Sequence, residues 1–364
     1  MRARDLGIAV GTLPTGPLNA ITDVAGVRVG HATIIEGDGP LVVGEGPIRT
    51  GVTVILPHDG DPGREPVFAG SHTLNGNGEM TGLEWLRESG MLTTPIGLTN
   101  THSVGVVRDA LVAASMAGRD EVGLWSLPVV AETWDGYLND VNGQHVRPEH
   151  VANALAAATA GPVAEGSVGG GTGMKAFAFK AGIGTASRRV GEEHGGYTVG
   201  VLVQANHGRR ERFAVDGVPV GREISQGEVP GPDVGSPDTG SIIAVVATDA
   251  PLLPQQCRRL AERAGLGVAR GGGGGENSSG DIFLAFATGN RGMQVGDAAL
   301  TATIQMLSDD HISELFWATI EATEEAILNS LVAAETMVGR DGITFHALPH
   351  DRLVEVMRRY GRLG

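Results

Sequence analysis

The chain has 364 residues and carries 27 basic against 42 acidic side chains, which gives a formal net charge of −15. This acidic balance argues against a nucleic-acid partner, because a phosphate backbone requires clustered lysine and arginine. Hydrophobic residues form 41% of the chain, and no apolar stretch reaches the ~18 residues of a membrane span. The start Met-Arg-Ala-Arg-Asp lacks the apolar run of a secretory signal. We therefore expect a cytoplasmic protein without a membrane partner.

Apolar runs alternate with helical patterns along the chain. Short runs typical of strands buried on both faces occur at residues 52–56, 129–131, 198–203, 241–249 and 282–287. Helical spacing of apolar residues predicts helices at 106–116, 150–160, 252–264 and 312 to about 335. Asp249, ahead of Pro251, indicates the N-cap of the third helix. Helices that flank covered strands predict a layered α/β sandwich, which we treat as a single domain of residues 1–364.

Two glycine-rich segments, 169–173 and 271–275, raise the question of ligand binding. The first resembles a phosphate loop, but Met174 and Ala176 flank Lys175 where a Walker A motif requires glycine and serine or threonine. We interpret it as a tight turn, and keep open a non-catalytic protein that cradles an anion on the two segments. With one cysteine, Cys257, and scattered histidines, the chain is not expected to bind a metal, and we expect no organic cofactor.

Ser241 stands where a polar segment rich in proline and glycine, residues 226–240, meets an apolar strand. Attack of its hydroxyl on the Gly240 carbonyl, followed by ester hydrolysis, would free Ser241 as a new amino terminus. The freed α-amine has a reference pKa of ~7.7 to 8.0, so it can serve as a base for its own hydroxyl. The alternative from the residues alone is an ordinary loop hydroxyl at the start of a strand.

Eight motifs between residues 19 and 281 resemble one known family. They are NAITDVAGVRVGH at 19–31, GEMTG at 78–82, LTNTHSVG at 98–105, ETWDGYLND at 132–140, GSVG at 166–169, VQAN at 203–206, GSII at 240–243 and NSSGD at 277–281. The chain resembles the L-aminopeptidase/D-amidase-esterase family, which includes the β-peptidyl aminopeptidases. The resemblance implies a four-layer α/β/β/α sandwich like that of N-terminal-nucleophile hydrolases, with the connectivity shared with ornithine acetyltransferase. It also implies a precursor that cuts itself at Gly240 and Ser241 into residues 1–240 and 241–364.

The same resemblance assigns five catalytic residues. Ser241 matches the nucleophile, and Ser279 matches a second serine that contacts it. Asp281 matches an acidic position that is glutamate in the β-peptidyl branch. Asn206 matches the asparagine that helps to hold the oxyanion, and a side-chain amide donor suits developing negative charge. Tyr137 is expected to be a second donor.

Two further residues are expected to bind the substrate. Glu132 matches the carboxylate that holds the free ammonium of the substrate, and Trp134 is expected to line the pocket. Other interpretations stay open: Glu132 and Asp135 as a solvated loop pair, Asn206 in a turn with Gly208, Tyr137 in the core, and the two residues Ser279 and Asp281 as a loop cap.

The combined expectation is a self-processing aminopeptidase or amidase that acts on short peptides, amides or esters through an acyl-enzyme on Ser241. Its partners would be a small peptide or amino-acid amide and further copies of itself, in a homotetramer of two-chain protomers. The alternatives are an acyltransferase of the ornithine acetyltransferase type and the anion-binding protein. The sequence does not rank L-, D- and β-amino-acid substrates.

Overall fold

Two β-sheets lie face to face at the centre of the molecule. The structure, a computed structural model, describes residues 1–120, 122–232, 240–291 and 300–363. In chain order its strands are β1 (Arg28–Glu36), β2 (Ile48–Leu56), β3 (Val67–Gly76), β4 (Met91–Leu92), β5 (Ile96–Asn100), β6 (Val129–Thr133), β7 (Lys175–Ala176), β8 (Phe179–Lys180), β9 (Ile183–Arg189), β10 (Thr198–Asn206), β11 (Gly240–Thr248), β12 (Ser279–Ala287), β13 (Met337–Val338) and β14 (Thr344–Phe345). One sheet has the order β1-β2-β5-β6 and the other the order β4-β3-β12-β11-β10-β9. Within them, β5 with β6 and β11 with β12 are parallel pairs.

Two pairs of helices cover the outer faces of the sheets. The helices of the described residues are α1 (Leu83–Ser89), α2 (Val104–Met116), α3 (Pro148–Ala156), α4 (Val220–Glu223), α5 (Pro254–Arg270), α6 (Ile312–Val332) and α7 (His350–Arg359). The pair α2 and α3 packs on the smaller sheet, and the pair α5 and α6 packs on the larger one. Three apolar clusters fill the three interfaces between these four layers. The expected α/β/β/α sandwich is therefore confirmed. In the described residues, no helix is long and apolar enough to cross a membrane.

The predicted strands are present, but the bounds predicted for two helices were wrong. Helix α3 ends at Ala156 rather than at residue 160. Helix α5 runs over Pro254–Arg270 rather than over residues 252–264, and its N-cap is Leu253 rather than Asp249. The Asp249 carboxylate instead accepts a hydrogen bond from the Thr198 amide at 2.8 Å, so it joins the ends of β10 and β11. Of the predicted polar segment 226–240, residues 233–239 lie outside the described residues.

The glycine segment 169–173 is a buried turn between the sheets. Gly169–Gly171 forms a 3₁₀ turn, and a Cβ on Gly170 would lie 2.2 Å from the Gln204 side-chain oxygen. Side-chain oxygens already accept hydrogen bonds from the amides of Gly169 and Gly170, and carbonyls of α5 accept from the amides of Gly271, Gly272 and Gly273. These amides are engaged internally, which supports the interpretation as tight turns over that of an anion cradle.

A buried ion-pair cluster joins the amino-terminal segment and β9 to α6. Arg188, which is fully buried, contacts Glu325 at 2.7 Å and Glu321 at 3.2 Å. Arg4 reaches the same Glu325 carboxylate at 2.8 Å. Buried charges are tolerated only when paired, so the cluster holds these three segments in one arrangement.

Candidate active site

Ser241 lies at the start of β11, in the middle of the larger sheet. Antiparallel pairing places it opposite Asn206 of β10, and parallel pairing places it beside Gly280 of β12. The residue is 5% exposed, and its hydroxyl donates to the Gly240 carbonyl oxygen at 2.8 Å. The hydroxyl oxygen of Ser241 therefore lies next to the Gly240–Ser241 peptide bond, where the cut is expected.

Ser279 and Asp281 form a hydrogen-bonded pair on the neighbouring strand. The Ser279 hydroxyl donates to the Asp281 carboxylate at 2.7 Å, and both residues are buried. Burial raises the pKa of Asp281 to about 6, with Glu276 raising it further and the hydrogen bond from Ser279 lowering it. Ser279 is paired in register with Gly240, and neighbouring strands are about 4.8 Å apart. The shorter side chain of aspartate thus reaches Ser279, and the pair flanks the Gly240–Ser241 bond.

Asn206 presents a fixed side-chain amide at the end of β10. Its Nδ2 donates to the Trp134 carbonyl at 2.9 Å, and its Oδ1 accepts from the Lys175 amide at 3.1 Å. Each Nδ2 has two hydrogens, so one remains for a second acceptor. Both ends of the amide are held, and the strand pairing places Asn206 opposite Ser241, so a fixed donor of this kind suits negative charge that develops beside the serine.

Aromatic side chains form one wall beside this amide. The rings of Trp134 and Tyr137 meet edge to face, with 4.8 Å between their centroids. The centroids of the Tyr137 and Phe345 rings are 5.9 Å apart. Both Trp134 and Tyr137 are half-buried. Tyr137 lines a pocket with Lys175 rather than lying within the core.

Glu132 is the penultimate residue of β6, on the opposite sheet, and is only 3% exposed. Its carboxylate accepts hydrogen bonds from the Glu79 amide at 3.0 Å and from the Thr101 hydroxyl. Burial is the main cause that raises the pKa of the Glu132 carboxyl group above its ordinary value. A buried carboxylate with few donors favours a cation, so Glu132 suits an ammonium group. The interpretation of Glu132 and Asp135 as a solvated loop pair was wrong, since Asp135 is 1% exposed.

Two glycines bring the Glu132 carboxylate next to the strands that carry the serines. A Cβ on Gly78 would lie 3.0 Å from Gly280 Cα and 3.1 Å from Glu132 Oε1. A Cβ on Gly280 would lie 2.6 Å from the Asn77 carbonyl oxygen. The absence of side chains at these two positions thus lets the segment after β3 pass between β12 and the Glu132 carboxylate.

The sequence assigned no role in the site to Gly78, Thr101, Lys175 and Gly280. Gly78, Thr101 and Gly280 lie inside the quoted motifs, but each contacts a residue far away in the chain. Lys175 lies outside these motifs and contacts Asn206. Among the residues that the structure describes, no group of three or more histidine, cysteine or acidic side chains is arranged to hold a metal ion.

Solved structures share this fold and indicate its class. A β-aminopeptidase from Burkholderia sp. superimposes with a TM-score of 0.93 and 55% identity, and the match covers 99% of each chain. The L-aminopeptidase D-Ala-esterase/amidase from Ochrobactrum anthropi, described as a prototype for the serine aminopeptidases and a variant of the Ntn hydrolase fold, matches with a TM-score of 0.91 and 44% identity, over 100% of this chain and 99% of that one. Fold and site thus define an aminopeptidase with an N-terminal-nucleophile hydrolase fold.

The chain belongs to peptidase family S58, whose family model matches residues 19–345. A curated relative, the β-peptidyl aminopeptidase BapA of Sphingosinicella microcystinivorans, is 51% identical over 373 residues, which cover 100% of this chain and 93% of the relative. The expected family and the hydrolase activity of the aminopeptidase class are therefore confirmed. These relatives support neither the acyltransferase nor the anion-binding alternative.

Replacing Gly280 by alanine is expected to reduce kcat/KM by at least about 100-fold, because the new Cβ displaces backbone that positions the reacting groups. Gly76→Ala is the matched control. Gly76 is paired with Gly280 across β3 and β12, and its Cβ would meet nothing closer than 3.8 Å. Turnover of an aminoacyl p-nitroanilide measures both variants, and equal loss in the two would contradict this role of Gly280.

Asp135 makes stability depend on pH. Burial raises its pKa to about 7, from an ordinary value of 3.8. Between these values the folded chain retains a proton that the unfolded chain releases, so the free energy of unfolding falls as the pH rises through this range. Over this range the free energy of unfolding falls by up to about 4 kcal/mol, because a difference of one pKa unit corresponds to about 1.4 kcal/mol. Asp135→Asn should gain stability relative to its parent between pH 4 and pH 7, measured by urea unfolding in an uncut Ser241→Ala background. A stability difference that does not change with pH would contradict this assignment.

Proposed function

We propose that the chain is a single domain that cuts itself between Gly240 and Ser241, and that the freed Ser241 is the nucleophile of the aminopeptidase reaction. The observation that carries the proposal is the position of the Ser241 hydroxyl, 2.8 Å from the Gly240 carbonyl oxygen and between Asn206 and Gly280. Residues 1–240 and 241–364 then form two chains. The buried ion pairs from Arg188 and Arg4 to α6 cross between them and support their remaining together.

Processing would proceed by an acyl shift from nitrogen to oxygen. The Ser241 oxygen attacks the Gly240 carbonyl carbon, the bond to the Ser241 nitrogen breaks, and that nitrogen gains a proton. Water then hydrolyses the ester, which leaves a carboxylate on Gly240 and an α-amine on Ser241. The hydrogen-bonded pair of Ser279 and Asp281 flanks this bond and would position the reacting groups.

The same groups would then act on a substrate. The Ser241 oxygen attacks the carbonyl of the first residue while the α-amine accepts its proton. Asn206 and Tyr137 donate to the oxyanion, and the α-amine passes the proton to the leaving amine. Water releases the acyl group from Ser241. One water molecule is consumed for each peptide bond broken, so the cycle ends with a free amino acid, a shortened peptide and the regenerated Ser241 hydroxyl.

Glu132 would select substrates with a free amino terminus. An ammonium group placed against this buried carboxylate offsets the cost of burying its charge. Trp134 would line the wall for the first side chain. Because relatives at 51% and 55% identity are named for β-peptides or as a β-aminopeptidase, we propose N-terminal β-amino residues as substrates, beside L-residues and amino-acid amides.

Intact mass under denaturing conditions tests the nucleophile. The purified protein should appear as two chains, residues 1–240 and 241–364, and should hydrolyse β-alanyl and L-alanyl p-nitroanilides. Ser241→Ala should stay whole and lose turnover by at least about 1,000-fold, because no acyl-enzyme can form. Ser225→Ala, at an exposed serine in the same part of the chain, is the control and should be cut. A whole and active Ser241→Ala protein would overturn the proposal.

We also propose that two-chain protomers form a homotetramer in the cytoplasm. The segment after α2 exposes apolar side chains, with Leu124 41%, Trp125 58% and Leu127 39% exposed. Adjoining exposed apolar residues are typical of protein contact surfaces. Light scattering of the native protein should give four protomer masses, and Trp125→Lys should shift the protein to smaller species. A monomeric protein would refute this assembly.

A further inference from the structure

Lys180 is a fully buried lysine that the proposed reaction does not use. It lies in β8, and no carboxylate in the described part of the chain pairs with it. Burial lowers the pKa of its ammonium group to about 7. A buried ammonium costs free energy that an apolar side chain of the same length would not. The presence of lysine here therefore needs a reason other than core packing.

Two backbone carbonyls hold the Lys180 ammonium group. Its Nζ donates to the Met174 oxygen at 2.8 Å and to the Ala181 oxygen at 2.7 Å. The Ala181 amide donates to the same Met174 oxygen at 3.2 Å. A lysine that has lost its proton retains two N–H donors, so both contacts persist in either protonation state. The Met174 carbonyl therefore has two donors, and Lys180 is one of them.

The peptide bond between Met174 and Lys175 joins this lysine to the active site. Its carbonyl oxygen accepts from Lys180, and its N–H donates to Asn206 Oδ1 at 3.1 Å. The Asn206 Nδ2 donates to the Trp134 carbonyl at 2.9 Å, and the proposed function assigns its second hydrogen to the oxyanion. Two amide groups in series thus connect the Lys180 ammonium group with the substrate oxygen.

The N–H of Lys175 also determines which way the Asn206 amide faces. A backbone N–H can only donate, so it must meet the side-chain oxygen of Asn206. The Trp134 carbonyl can only accept, so it must meet the nitrogen. If the amide were turned over, an oxygen would face the developing negative charge and repel it. The position of the peptide bond between residues 174 and 175 therefore determines whether Asn206 can donate to the oxyanion.

The charge of Lys180 strengthens the donors of this series. A cation at a carbonyl oxygen draws electron density from the amide, and the N–H of that amide becomes a stronger donor. The effect passes on to Asn206, because its side-chain amide also accepts at the oxygen and donates at the nitrogen. Burial preserves the effect, since little water screens the charge. The direction of the polarisation suits an oxyanion at the end of the series.

We propose that Lys180 is a positioning residue of the aminopeptidase reaction, which orients and polarises the Asn206 side-chain amide through the peptide bond between Met174 and Lys175. Lys180 does not touch the substrate. The inference rests on the proposed role of Asn206 and adds the residue on which that role depends. Because the oxyanion exists only in the reaction, Lys180 should affect kcat rather than the binding of the substrate.

A double-mutant cycle of Lys180→Met and Asn206→Ala in the full chain tests the inference, with L-alanyl p-nitroanilide as the substrate. Asn206→Ala should lower kcat by about 100-fold or more, because an oxyanion donor is lost. Lys180→Met should lower kcat about tenfold and change KM by less than about twofold. The double variant should match Asn206→Ala alone within about twofold, because Lys180 acts only through Asn206.

Thr319→Val is the matched control. Thr319 is also fully buried and also donates to a backbone carbonyl, that of Leu315 at 2.7 Å, but it lies on α6. Both substitutions replace a donor by an apolar group of similar size, and only Lys180→Met should lower kcat. Urea unfolding gives the folded fraction of each variant, and kcat is calculated per folded, cut protomer.

A variant that remains uncut is followed by the rate at which its Gly240–Ser241 bond breaks, measured by intact mass. The Gly240 carbonyl oxygen carries the negative charge in that reaction, and Asn206 lies opposite Ser241. The same pattern of losses is therefore expected for this rate.

Several outcomes would overturn the inference while the role of Asn206 stands. They are losses that add in the double variant, an unchanged kcat in Lys180→Met, an equal loss in Thr319→Val, and a Lys180→Met protein that does not fold, since this would show a structural role. If Asn206→Ala keeps its kcat, the proposed oxyanion role itself is wrong, and the inference fails with it.

Discussion

The active site depends on close packing of the segment after β3 at a pair of glycines. This segment leaves the larger sheet beside Gly280 of β12 and pairs with β6 of the smaller sheet at Met80 and Ala131. Gly78 approaches Gly280 so closely that a Cβ on Gly280 would lie 2.8 Å from Gly78 Cα. Glu132 belongs to the smaller sheet, whereas Ser241, Ser279 and Asn206 belong to the larger one. A side chain on either glycine would press on the segment that lies between the carboxylate and the strands that carry the serines.

The packing between the layers also buries the polar groups of the site. Glu132, Asp135 and Asp281 all have a raised pKa, and burial is the largest cause for each. Burial of carboxylates lowers the stability of the protein when no ligand is bound, and such buried groups are typical of sites that bind charged ligands.

Polar contacts that do not depend on chain continuity secure this arrangement. The ladders of β11 with β10 and β12 begin at Gly240 or Ser241, and the ion pairs of Arg188 lie wholly within the core. A break between Gly240 and Ser241 would leave both intact. The fold can therefore hold the new amino terminus of Ser241 at the same place where its peptide bond stood.

The sequence by itself determined the layered architecture, the location of Ser241 at a strand start, and the family. Burial on both faces makes strands such as 241–249 continuously apolar, and this pattern depends only on chain neighbours. Tertiary structure alone decided that Asp249 joins two strand ends rather than capping α5, that Asp281 reaches Ser279, and that Gly78 lies against Gly280 and Glu132. It also decided that Lys175 lies beside Asn206. These relations join residues that sheet register and packing bring together, and no local periodicity records a partner so far away in the chain.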